Sequence, residues 1–70
     1  MERTQEVKQY AFLLFIINQF AERENQLSRD VYQLFNQRGI LSYLQEYYDD
    51  LHTQGAAYVL GEITEILGAV

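Results

Sequence analysis

The chain has 70 residues with ten acidic and five basic side chains, which give a formal net charge of −5, and it contains no cysteine or proline. This length predicts one domain, residues 1–70, that buries only about 60% of the surface exposed by its unfolded form. The lack of cysteine excludes disulfides and thiolate metal sites, so a further copy or a partner chain is the remaining source of extra stability. Because 49% of the residues are apolar and ten are Tyr or Phe, we expect part of this apolar surface to meet another protein chain.

The charge and hydropathy pattern argues against nucleic-acid and membrane binding. An acidic chain repels phosphate groups, and affinity for nucleic acid comes mainly from Lys and Arg contacts to phosphate. The apolar run 10–17 has eight residues, whereas a membrane span needs about twenty. We therefore predict a cytoplasmic protein. The scattered cations are Arg3, Lys8, Arg23, Arg29 and Arg38.

The first predicted helix runs from about Thr4 to Arg23 and is long enough, at roughly 1.5 Å per residue, to span the domain. We expect it to be the central helix. At 100° per residue, one arc of this helix is apolar and is predicted to face the core. The arc comprises Val7, Tyr10, Ala11, Leu14, Ile17 and Ala21, widened by Leu13, Ile16 and Phe20.

A second helix is predicted from about Arg29 to Gln37, with Ser28 as its N-cap and Gly39 as the left-handed residue that ends it. Asp30 stands in its first turn, where an acid favours the helix dipole, and Arg38 lies near its negative end. Its predicted buried residues are Val31, Leu34 and Phe35.

The third predicted helix covers about Ile40 to His52, and the fourth covers about Ala56 to Leu67. The third buries an arc of Ile40, Tyr43, Leu44, Tyr47 and Leu51, with Leu41 and Tyr48 at its edge. The fourth buries Ala56, Val59, Leu60, Ile63, Ile66 and Leu67. Since no stretch alternates with period two, the fold class is all-α: a small bundle of about four helices with a long N-terminal helix.

Two phenylalanines of the first helix, Phe12 and Phe15, fall on the side of the helical wheel opposite the predicted core arc. Such a local apolar patch marks a contact surface, but a neighbouring helix could equally cover both rings. Tyr58 falls on the outward face of the fourth helix, and tyrosine is enriched at protein interfaces. We therefore predict Phe12, Phe15 and Tyr58 as partner-binding residues.

Acid–base chemistry would have to depend on His52, the single histidine, which Asp49 could orient from three residues away. No nucleophile accompanies this pair, and the acids Glu46, Asp49 and Asp50 spread across a helix face as solvated residues do. The alternative is that His52 bonds the free carbonyls at the end of the third helix. We favour that structural role and expect no catalytic site, no metal site and no cofactor.

Three segments resemble a family of short bacterial domains of unknown function. They are Val31-Tyr32-Gln33-Leu34-Phe35 with Gly39, then Tyr43-Leu44 with Tyr47, and then Leu51-His52-Thr53-Gln54-Gly55 with Tyr58. The resemblance covers Asp30 to Leu67, and it departs from the family at Ala56, Ala57 and Gly61. Such domains look like accessory proteins, often encoded beside proteins that resemble ADP-ribosyltransferase toxins. The resemblance thus implies an antitoxin or regulatory partner of a toxin-like enzyme.

The Leu51–Gly55 segment also has a purely local explanation. Gly55 permits the positive φ of a tight turn, Thr53 can cap the following helix, and His52 closes the preceding one. The competing interpretation makes His52 and Gln54 partner-binding residues. We predict a non-catalytic protein-binding module. The alternatives are a self-assembling homo-oligomer and a helix-turn-helix DNA-binding regulator, and the acids of the third helix argue against the latter.

Overall fold

The computed structural model describes residues 2–68, with side chains from Glu6 onward. Five α-helices follow one another: α1 (Glu2–Glu24), α2 (Ser28–Gln37), α3 (Ile40–Glu46), α4 (Tyr48–Leu51) and α5 (Ala56–Gly68). Residues 2–68 contain no strand, which confirms the predicted all-α class. The predicted third helix is divided into α3 and α4, so the described chain has five helices where four were expected.

The long helix α1 is the element around which the others pack. Its 23 residues correspond to about 34 Å at 1.5 Å per residue, close to the longest dimension of the described chain, 38 Å. It contacts α2, α3 and α5. The prediction of a central N-terminal helix is confirmed.

The corner between α1 and α2 is built by Asn25, a residue that the sequence pattern did not single out. Asn25 has a φ of 57°. Its backbone amide donates to the Glu22 carbonyl, and the backbone amide of Gln26 donates to the Ala21 carbonyl at 2.8 Å. This pair of bonds satisfies the last carbonyls of α1 in the manner of a Schellman motif.

The predicted N-cap at Ser28 is wrong. Leu27, with extended φ and ψ, precedes the helix and makes no side-chain cap bond. The Ser28 hydroxyl instead bonds the Asn18 Oδ1 atom at 2.7 Å, because Ser28 already has helical geometry and turns back toward α1. Its side chain therefore ties α2 to α1.

Gly39 separates α2 from α3 with a φ of 73°, as predicted. The break between α3 and α4 was not predicted and falls at Tyr47, whose φ of −104° and ψ of 23° leave the helical region. The break turns the Tyr48 ring into the core and leaves Tyr47 exposed. The predicted order of burial of these two tyrosines is thus reversed.

The turn from α4 to α5 uses Gly55 at a φ of 90°, which confirms the predicted positive φ. The expectation that Thr53 caps α5 is wrong, since its hydroxyl donates to the Asp50 carbonyl at 2.9 Å. Thr53 therefore closes α4, the helix before it.

All five helices contribute to the core, and the side chains that α1 buries there differ from the inner face predicted for this helix. Val7, Tyr10, Ala11 and Leu14 were expected inside and are exposed. The residues that α1 buries were expected at the edge of the arc or near its C-terminal end. The buried core comprises Leu13, Ile16, Ile17, Phe20, Ala21, Val31, Phe35, Ile40, Leu44, Leu51, Val59, Leu60 and Ile63.

Two arginines tie the ends of the bundle together. The Arg23 guanidinium donates to the Thr64 hydroxyl at 2.6 Å, and the Arg38 guanidinium donates to the Ile66 carbonyl at 3.3 Å. Arg38 was expected to serve the end of α2, but its side chain reaches the last turns of α5. A cation at that place also favours the α5 dipole.

Candidate functional site

The first candidate surface is an apolar stripe along the outer side of α1. It consists of Val7, Tyr10, Ala11, Leu14 and Phe15, which recur at three- and four-residue spacing and hence on one face of the helix. The four large side chains are between 42% and 64% exposed. At 100° per residue, the centre of this α1 stripe lies roughly 120° around the helix from the centre of the buried face.

Close to its N-terminal end, the α1 stripe borders an open groove against α3. The groove is lined by Glu6, Val7, Gln9, Tyr10 and Gln45. Tyr10 and Val7 supply its apolar wall, and two glutamines supply hydrogen-bonding groups. Apolar area with a few polar groups at its margin is the composition of protein-binding surfaces.

The predicted pair Phe12 and Phe15 is divided by the structure. Phe12 is half-buried and packs against the core, with its ring centroid 5.4 Å from that of Tyr48 in an edge-on arrangement. Its predicted outward position is wrong, because α4 covers that side of α1. Phe15 is 48% exposed and belongs to the α1 stripe.

His52 lies at the end of α4 with its Nδ1 atom 2.7 Å from the Tyr48 carbonyl oxygen. A carbonyl can only accept, so Nδ1 carries the proton in this bond. The imidazole also stacks on the Tyr48 ring, with centroids 4.4 Å apart and planes 8° apart. The ring therefore bonds a backbone carbonyl of its own helix, as the structural interpretation predicted, but this carbonyl is not a free one, since it also accepts the His52 backbone amide at 2.9 Å.

Gln54 is exposed, and its backbone amide donates to the Leu51 carbonyl at 3.0 Å. The backbone of the Leu51–Gly55 segment is thus engaged in the turn. The side chains of Gln54 and His52 remain on the surface, where they are available to a partner.

Three further tyrosines lie in the C-terminal half of the chain: Tyr47 and Tyr58 are nearly half exposed, and Tyr43 is half-buried. The rings of Tyr43 and Tyr47 have their centroids 5.3 Å apart. Tyr58 and Glu62 are one helical turn apart on α5 and so are neighbours. Burial, the Glu62 carboxylate, Tyr58 and Tyr47 raise the pKa of the Tyr43 phenol above its usual value.

The charge of the chain is unevenly distributed, a feature that the sequence carries but that the sequence-based interpretation missed. All five cations and five of the ten acids precede Gly39, so the entire net charge of −5 lies in residues 39–70. Tyr43, Tyr47 and Tyr58 are in this acidic half of the sequence. Among the described residues the one ion pair is Arg23–Glu24, at 3.0 Å, which lies in the other half.

No cluster of three or more His, Cys, Asp or Glu side chains suited to a metal ion occurs within the part of the chain that the structure describes. None of the helices among residues 2–68 is both long and apolar enough to cross a membrane.

Comparison with protein families matches residues 11–69 to the family described as "Protein of unknown function (DUF3791)". The match covers well over half of the chain, and the chain belongs to this family. It confirms that the chain is a short domain of an uncharacterised family, and it extends into the first helix, beyond the resemblance that began at Asp30. No curated protein and no solved structure matches the chain.

Proposed function

We propose that this member of the DUF3791 family is a non-catalytic protein-binding module whose α1 stripe contacts another protein chain. The observation that carries the proposal is the exposure of Val7, Tyr10, Leu14 and Phe15 on one face of the longest helix. An apolar face of this kind is normally covered in a functional assembly.

The stripe has the dimensions of one half of a helix-to-helix contact. Residues 7–15 cover about two and a half helical turns, and their three- and four-residue spacing matches the seam by which amphipathic helices pair. Tyr10 and Phe15 supply large rigid side chains, which dominate the energy of protein interfaces. The partner surface therefore presents an apolar groove or helix face.

The partner class that we propose is a toxin-like enzyme, which this chain would restrain as an antitoxin or accessory regulator. This part of the proposal is supported by the resemblance to short domains encoded beside ADP-ribosyltransferase-like proteins. Gln54 and Tyr58 are surface residues of the same molecule and supply polar contacts to such a partner.

Self-assembly is the second candidate, and the same stripe supports it. A chain of 70 residues has little core to spare, and pairing of two α1 stripes would bury the largest exposed apolar side chains of each copy. The two candidate functions differ in what covers the stripe: another protein in the first, and a second copy of this chain in the second.

Site-specific photo-crosslinking in the host cell tests the proposal. A photoreactive phenylalanine derivative replaces Tyr10 in one variant and Tyr32, which lies on α2 and is 50% exposed, in the matched control. We expect position 10 to capture one defined protein that position 32 does not capture. A captured second copy would support self-assembly, whereas equal capture at both positions, or none at position 10, would contradict a binding role for the stripe.

A further inference from the structure

The groove between α1 and α3, beside the α1 stripe, brings together groups that can each contact a cation. The described residues that line it are Glu6, Val7, Gln9, Tyr10 and Gln45. They supply one carboxylate, one phenol ring and two side-chain amides, and none of these lining residues is Lys or Arg. A positively charged group in the groove therefore meets an acid and no basic side chain from this set.

Glu6 and Tyr10 form the charged and aromatic part of the groove. They are four residues apart on α1 and hence neighbours on its surface, and both are exposed. A carboxylate bonds a guanidinium through charge-assisted hydrogen bonds, while the face of a tyrosine ring attracts the same group electrostatically. One cation can therefore contact both residues.

Gln9 and Gln45 distinguish between the two basic side chains. Each has an amide oxygen that accepts hydrogen bonds, and a guanidinium offers its N–H donors in a planar fork, whereas an ammonium group offers fewer donors around one nitrogen. Gln45 also stands in the last turn of α3, and the carbonyl end of a helix favours a cation. The several acceptors of the groove therefore favour arginine over lysine.

Val7 and Tyr10 connect the groove to the α1 stripe, since both residues belong to the two surfaces. Val7 is 64% exposed, so the aliphatic part of an arginine side chain can lie on it while the charged end reaches Glu6. A partner segment that covers the stripe thus passes beside the groove. The net charge of −5 attracts a basic segment and repels an acidic one.

We propose that the groove binds an arginine side chain of the partner protein that covers the α1 stripe. Glu6 accepts hydrogen bonds from the guanidinium, Tyr10 stacks on it, and the amide oxygens of Gln9 and Gln45 accept its remaining N–H groups. The proposal rests on the binding role proposed for the stripe, and it adds that the partner places an arginine at one end of its apolar surface.

Titration of the full chain with N-acetyl-argininamide tests the groove, and N-acetyl-citrullinamide is the control because it has nearly the same shape without the charge. Nuclear magnetic resonance at constant ionic strength follows the backbone amides and the side-chain amides of the two glutamines. We expect the arginine compound to move the signals of Glu6, Gln9, Tyr10 and Gln45 and the citrulline compound to leave them unchanged. Absence of these shifts, shifts centred elsewhere, or equal shifts with both compounds would overturn the proposal.

Matched variants separate recognition in the groove from general attraction. Glu6→Gln should weaken binding of N-acetyl-argininamide by up to about fivefold, and Tyr10→Leu by about twofold to fivefold, the range of an exposed cation–π contact. Glu22→Gln and Tyr32→Leu remove the same groups from exposed positions outside the groove and should bind like the unmodified chain. Control variants that weaken binding as much as the groove variants would contradict the assignment.

A further variant should strengthen binding. Gln45→Glu adds a second carboxylate to the groove and should tighten binding of N-acetyl-argininamide by up to about fivefold. Gln33→Glu makes the same change of net charge at an exposed position of α2 and should have little effect. Equal binding by these two variants would count against a site in the groove.

The titration contains no partner, so it separates this proposal from the binding role of the stripe. Absence of shifts together with capture of a partner at position 10 would overturn the arginine site and leave the stripe as the binding surface. Groove shifts without any capture at position 10 would overturn the binding role of the stripe, and with it the arginine of the partner.

Discussion

The imidazole of His52 is held by a single residue, Tyr48, through both its backbone and its side chain. Nδ1 lies 2.7 Å from the Tyr48 carbonyl oxygen, and the two rings stack with their centroids 4.4 Å apart. Tyr48 in turn is buried and contacts Phe12 edge-on at 5.4 Å. Contacts among three aromatic residues, His52, Tyr48 and Phe12, thus hold the end of α4 against α1.

His52→Ala should lower the free energy of unfolding by about 0.5–2 kcal/mol, the cost of a lost helix-end bond. It should not change binding by the α1 stripe, because the stripe lies on a different helix face. Urea denaturation and the crosslinking yield at position 10 check both statements. Loss of binding with unchanged stability would show that His52 contacts the partner directly.

Phe12→Ala and Phe15→Ala should differ in their effect on stability. Phe12 packs against the core, so its truncation should cost about 2 kcal/mol or more. Phe15 belongs to the exposed stripe, and its truncation should cost about 0.5 kcal/mol. Thermal denaturation followed by circular dichroism compares the two, and equal losses would mean that Phe12 and Phe15 have similar environments.

Gly39→Ala should destabilise the protein through the backbone alone. A Cβ at this position meets no atom within 4 Å, but the φ of 73° is one that side-chain-bearing residues rarely adopt. The expected cost is about 1–2 kcal/mol. Urea denaturation of Gly39→Ala beside Gly61→Ala, at an open helical position, separates backbone strain from loss of a glycine, and an unchanged midpoint for Gly39→Ala would contradict the left-handed geometry.

The raised pKa of Tyr43 predicts a loss of stability in alkaline solution. The folded state holds the phenol proton more tightly than the unfolded state. The contribution of the protonated phenol to the free energy of unfolding is therefore fully present below the unfolded pKa of about 10. It is lost as the pH rises through the folded pKa. Urea midpoints measured on both sides of pH 10 should fall less steeply for Tyr43→Phe than for the unmodified chain, and identical slopes would show that Tyr43 does not contribute.

The helices and their ends could largely be predicted from the sequence because Gly39 and Gly55 mark the turns. At each of these positions the glycine allows the positive φ that the turn requires. The inner face of α1 could not. Residues 10–17 are apolar without interruption, so the helical wheel offers two apolar faces, and only the packing of α2, α3 and α5 decides between them. The face that was predicted to be core at Val7, Tyr10 and Leu14 is the one that the chain leaves uncovered.

The local details that were missed share a cause. Ser28 and Thr53 each have a hydroxyl that can bond in two directions along the chain, and the choice depends on Asn18 in one case and on the Asp50 carbonyl in the other. The reversed burial of Tyr47 and Tyr48 follows from a helix break that no Gly or Pro marks in the sequence.

The most direct test of the central claim is co-purification from host cells with a tagged double variant, Tyr10→Ser with Leu14→Ser, beside the control Tyr32→Ser. Tyr10 and Leu14 are exposed, so both proteins should keep the helical circular dichroism of the unmodified chain. We predict that the control still retains the partner chain and that the double variant does not. A double variant that unfolds, or that folds and still retains the partner, would contradict the assignment of the α1 stripe as the binding surface.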